Sequence, residues 1–143
     1  MKQELQKKQN NASFFVFFIF FTNNNNGGGF IYPINFLWQI GKEVYEKRDS
    51  CINIIEKYSV FLSYFFGNSY FFTRENIHFM KKFYLSFPVY YDKLNDISWN
   101  QYRLLLSINN KYERYFYFYL ILLFKSDYLE TLEFVNNNYF YRI

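Results

Sequence analysis

The sequence predicts a mostly α-helical fold, a small helical domain organised around a helix-turn-helix-like pair. Three observations carry that expectation. Residues 73–88, TRENIHFMKKFYLSFP, repeat apolar residues at helical spacing between a good N-cap and a proline. Residues 98–108, SWNQYRLLLSI, open with the pattern of a capping box just ahead of an apolar run. Between 34 and 66 two further segments show the same periodicity.

In chain order, residues 1–13 are polar and mildly basic, and 14–21, FFVFFIFF, are eight consecutive apolar residues. Eight residues span roughly 12 Å as a helix, against the ~20 residues needed to cross a bilayer. Lys2, Lys7 and Lys8 ahead of this core suit a signal peptide, but no small-residue cleavage site follows. Asn23 to Gly29 is a low-complexity tract and the clearest boundary in the chain. The expected division is therefore a low-complexity, disordered extension over 1–33 and a helical domain over 34–143. The domain starts with WQIGKEVYEKR, amphipathic with Gly41 inside it. A second helix over about 50–66 follows, with Ile55, Tyr58, Leu62 and Phe65 at helical spacing and Phe61 and Phe66 widening the seam. Gly67, Asn68 and Ser69 form a turn.

The helix after Thr73 has Glu75 in its first turn and stops before Pro88, which cannot continue it. Ile77, Met80, Tyr84 and Phe87 fall on one face, with Phe83 beside them. The opposite side carries Arg74, His78, Lys81 and Lys82. Such a helix can pack on a core while presenting cations to a phosphate backbone, although a charged outer face is also what any surface helix shows. In the next helix, capped by Ser98 with Gln101 three residues on, Trp99, Tyr102, Leu105 and Leu106 form the stripe, and Gln101 and Arg103 lie off it. About ten residues including Pro88 join the two helices into a compact pair. The run Tyr115 to Phe124 is apolar all round, a buried helix or strand that periodicity does not separate.

Composition narrows the possibilities. A chain of 143 residues is one domain's worth. Its net charge of +4 is compatible with an anionic partner, but residues 36–114 hold eleven basic and eight acidic residues, so a basic surface must come from their arrangement. The aromatic content of 27%, with many Asn, suits an A/T-rich coding sequence and is weak evidence for base stacking. Trp38, Trp99 and Tyr102 read as core anchors. The single cysteine, Cys51, excludes an intramolecular disulfide and favours a reducing, cytoplasmic setting. Beside Ile52, Ile54 and Ile55 it reads as a packed small hydrophobe.

No catalytic, metal or cofactor constellation is visible. A PDDEXK site holds a divalent metal with clustered acids and places a Lys two positions after the last acid. No Asp or Glu here has Lys at that spacing, and the nearest approach, Glu46 with Arg48, supplies a group that does not readily deprotonate. His78, the only histidine, has no partner ligands nearby in sequence, and on the basic stripe it reads more readily as a solvated surface residue than as a phosphate or base contact. Gly27 to Gly29 lack the Lys-Ser/Thr of a phosphate loop. Neither an enzyme nor a small-molecule substrate is expected.

Taken together, LWQIGKEVYEK (37–47), the FG at 66–67, FTRENIHFMKKFYLSFP (72–88) and ISWNQYRLLLSI (97–108) resemble the N-terminal domain of the YhcG family of proposed PDDEXK nucleases. Leu37, Trp38, Ile40 and Gly41 match in order, as do Asn76, Met80, Phe83 and Tyr84, then Trp99, Tyr102 and Leu104 to Leu106, and finally Arg114, Phe116 and Tyr117. The resemblance covers roughly residues 36–143. It implies a small helical domain that binds DNA and precedes a C-terminal nuclease domain in full-length relatives, and it favours a helix for 115–124. Departures lie where relatives have a long helix before LWQIGK and this chain has FFVFFIFFTNNNNGGGFIYP, in two extra residues between Gly67 and Thr73, and in the apolar YFYFYLILLF after Arg114.

The expected function is a non-catalytic DNA-binding or targeting module of a nuclease system. Its contacts would be Arg74, His78, Lys81 and Lys82 on one helix and Asn100, Gln101 and Arg103 near the start of the next, where they could reach phosphates or base edges. Two alternatives stand beside it. One is a protein-interaction domain docking a separately encoded nuclease or further copies of itself, and the other a truncated, decayed fragment without independent function. A membrane is not an expected partner.

Overall fold

The computed structural model describes residues 32–49 and 52–142. The chain divides into two units, Met1–Tyr32 and Pro33–Ile143. The expectations for the N-terminal extension, its apolar octapeptide and Cys51 lie outside the described residues. Six α-helices and no strand are found among the described residues: α1 (Ile34–Glu46), α2 (Ile54–Phe66), α3 (Arg74–Ser86), α4 (Trp99–Leu106), α5 (Lys111–Phe124) and α6 (Tyr128–Asn136). Short 3₁₀ turns at Asp92–Asp96 and Tyr139–Arg142 complete the unit. The fold is all-helical, as the sequence predicts. No helix among the described residues is long and apolar enough to cross a membrane.

Local chemistry sets the helix ends. α1 begins directly after Pro33, whose ring pre-sets the backbone angle there. α2 starts at Ile54, later than the expected 50, because Asn53 sits in the left-handed region (φ 60°), a conformation that cannot lie inside a helix. Gly67 (φ 62°) closes α2 in the same conformation, at no steric cost for a glycine. The Thr73 hydroxyl accepts from the Asn76 amide at 3.1 Å to open α3. α4 has the full capping box: Ser98 Oγ accepts from the Gln101 amide (3.2 Å) and Gln101 Oε1 accepts from the Ser98 amide (3.0 Å). Asn110 caps α5 just ahead of the apolar run, and Lys125 (φ 52°) ends it. α6 opens on a second capping box, Asp127 with Glu130.

α1 and α3 make the most extensive helix contact. Ile40, Gly41 and Val44 of α1 and Ile77, Met80 and Phe83 of α3 are all buried. α4 and α5 close the other side around an aromatic core. Phe83 and Tyr102 are 4.4 Å apart, Phe87 and Phe118 4.8 Å, and Leu94, Ile97, Leu105, Leu106, Tyr117 and Ile121 fill the same cluster. Polar tips of the large rings are satisfied by backbone or amide partners, as burial demands. Trp38 Nε1 donates to the Phe87 carbonyl at 2.7 Å, and Trp99 Nε1 to Asn76 Oδ1 at 2.9 Å. Asn76 Nδ2 in turn donates to the Phe71 carbonyl at 2.7 Å, so one amide locks α3, α4 and the turn before α3. Arg114 ties the start of α5 to the end of α3 and to the turn after α4 by donating to Ser86 Oγ (3.1 Å) and the Ile108 carbonyl (2.6 Å).

Tyr102 donates to the Leu94 carbonyl at 2.6 Å from a fully buried position. Burial above all, with a smaller push from Tyr90, Tyr91 and Asp96, holds its phenol well above the ordinary tyrosine range, so the ring stays a neutral donor. Tyr102→Phe keeps the ring and strands the carbonyl. The expected cost is about 1–2 kcal/mol, read as a lower urea midpoint with an unchanged slope.

Candidate functional site

The pair α3 and α4 packs through Asn76, Phe79 and Phe83 on α3 and Trp99, Tyr102 and Arg103 on α4. The helical period leaves Arg74, His78 and Lys82 on the exposed side of α3. Lys81 is half-buried at the edge where α3 meets α1, with its backbone nitrogen against Gly41. Asn100 is exposed in the first turn of α4, and Arg103 is half-buried one turn on.

These cations differ in how much of their charge is already met. Arg74 Nη2 stands 3.1 Å from Glu56 Oε1 and keeps 69% of its side chain exposed, an arrangement worth about 0–1 kcal/mol and readily exchanged for another anion. Lys82 Nζ donates to the Leu106 carbonyl at 3.1 Å, at the C-terminal end of α4 where the helix dipole favours a cation. Arg103 Nη2 lies 3.7 Å from Glu75 Oε1. Among the described residues, Lys81 and His78 have no carboxylate partner.

Lys82 and Arg103, from two helices, converge on one ring. The Lys82 ammonium is 5.9 Å and the Arg103 guanidinium 5.1 Å from the centroid of Phe79, within cation–π range. Beside this junction lies a pocket of about 400 Å³ lined by Phe79, Asn100, Arg103, Leu104 and Tyr128.

One expected contact is corrected. Helical phase puts Gln101 off the apolar stripe, yet it is 4% exposed and inside the domain. Its Oε1 serves the capping box, and its Nε2 donates to the Ser126 carbonyl (2.7 Å) and Thr131 Oγ1 (3.0 Å). With α6 packed over α4, that side chain reaches neither phosphate nor base. The remaining six residues stay at or near the surface. Phe79, Leu104 and Tyr128 do not stand out in the sequence as site residues. Phe79 carries a signal, an aromatic lying among the basic residues and off the apolar seam, and Tyr128 directly follows the Asp127 cap.

The described residues offer no group of three or more His, Cys, Asp or Glu placed to hold a metal ion. Among the described residues the domain is all-helical, and its distinctive exposed chemistry is a set of basic side chains, with the Asn100 amide, on one helix pair. The family model for the DUF1016 N-terminal domain matches residues 32–142, and the chain belongs to that family, which is the family of the YhcG-like proteins. No curated protein and no solved structure matches it.

Proposed function

We propose that this domain is a non-catalytic DNA-binding module that targets a nuclease activity to its substrate, as its family kinship with the YhcG-like proteins suggests. The observation that carries the reading is the row of basic residues Arg74, His78 and Lys82 on the exposed side of α3, with Lys82 reaching the C-terminal end of α4, flanked by Lys81 and Asn100. Lys and Arg neutralise phosphates and release condensed counterions, so affinity falls with salt at about 0.9 powers of concentration for each phosphate met.

The test is duplex binding by the full chain at two salt concentrations, compared with the triple variant Arg74→Ala, Lys81→Ala, Lys82→Ala. The variant is expected to bind roughly tenfold more weakly at low salt, with its logarithmic salt slope smaller by about 2 to 3. Equal affinity and equal slope in a folded variant would remove these residues from the interface.

A second reading has its own observation. Tyr112, Tyr119 and Leu123 share one side of α5 and are all more than half exposed, which suits docking of a separately encoded nuclease or of another copy of the chain. Association of that kind would respond little to salt.

A further inference from the structure

From the pocket between α3, α4 and α6 we infer that this domain takes an unpaired nucleobase, an inference that rests on the DNA-binding reading and adds a second mode of contact to it. The walls are of two kinds. Phe79 and Leu104 are apolar, and the Arg103 guanidinium lies over the Phe79 ring, a combination that accepts a flat aromatic group by stacking. Three polar groups sit around them. Asn100 and Tyr128 are exposed lining residues whose amide and hydroxyl can exchange water for a ligand, and Arg103 Nε is buried with no acceptor.

The electrostatics separate a base from an anion. Arg103 already faces Glu75 at 3.7 Å, and that carboxylate opposes a phosphate while leaving a neutral ring unaffected. A side-chain amide beside a stacking surface matches the donor and acceptor pair on the edge of adenine, and about 400 Å³ leaves room for a purine. Nucleobases inside a duplex are stacked and cannot enter, so the ligand is a single-stranded or extruded residue. Lys82 and the exposed cations of α3 would hold the flanking phosphates.

The experiment compares two labelled single strands with the full chain. One is abasic except for a central adenosine and the other is abasic throughout, so their phosphates are identical and only the first carries a base. The adenosine strand is expected to bind about tenfold more tightly. Phe79→Leu and Tyr128→Leu should each bring the ratio close to one while melting cooperatively as folded proteins. A ratio near one in the unaltered protein overturns the pocket and leaves the duplex reading standing if duplex still binds. A ratio that survives both variants places the base elsewhere and overturns it too. Absence of binding to strand and duplex alike overturns the pocket together with the DNA reading on which it rests.

Discussion

Gly41→Ala is expected to destabilise the domain by about 3 kcal/mol, on the order of 10 °C in Tm. A Cβ at Gly41 would stand 1.9 Å from the Met80 carbonyl oxygen and 2.5 Å from the carbonyl carbon. Both atoms belong to the backbone of α3, so no side-chain rotation relieves the overlap and the two helices must separate. The sign of the effect is informative because helix propensity works the other way. In an exposed helix interior the same change would stabilise by roughly 1 kcal/mol. Gly67→Ala supplies the contrast. A Cβ there meets nothing within 4 Å, and the strain comes only from φ of +62°, for an expected loss of about 1 kcal/mol. A thermal or urea melt that ranks Gly41→Ala above Gly67→Ala in damage supports close approach of α1 and α3. A neutral or stabilising Gly41→Ala would mean that these helices are not in backbone contact.

Gly41 also shows how far the sequence can be read. A glycine inside an amphipathic pattern is visible, but the carbonyl it must make room for belongs to Met80, on a different helix. The caps at Thr73 and Ser98 are legible because their partners lie three residues on, and the structure holds both. The same local pairing exists at Asp127, whose capping box with Glu130 opens α6. The late start of α2 is not legible, since nothing in the spacing of its apolar residues reveals that Asn53 turns left-handed.

The candidate site divides along the same line. Arg74, His78 and Lys82 are exposed because helical phase alone puts them opposite Ile77, Met80 and Phe83. What phase does not contain is their electrostatic company. Glu56 beside Arg74 comes from α2, and the Leu106 carbonyl under Lys82 from the far end of α4. The pocket next to them needs Tyr128, which reaches it only because α6 folds back over α4.

Gln101 is where the local and the long-range contributions can be separated by experiment. Gln101→Ala is expected to cost about 3 kcal/mol: roughly 1 for the reciprocal half of the capping box and about 1–3 for the buried Ser126 carbonyl left without its donor. Gln101→Glu tells the two apart. A carboxylate accepts from the Ser98 amide as well as the glutamine oxygen does, and acidic charge suits the first turn of a helix. If Gln101 served only as a cap, Glu would be harmless. The structure gives its Nε2 two acceptors, the Ser126 carbonyl and Thr131 Oγ1, and Glu replaces that donor with a buried anion facing a carbonyl. Urea unfolding of Gln101→Glu is therefore expected to show a loss at least as large as that of Gln101→Ala near neutral pH. A Glu variant as stable as the parent would show that the side chain does not bridge α4 to α6. Because that bridge holds α6 against α4, it also sets the position of Tyr128, so loosening it should widen the pocket before it reaches the cations of α3.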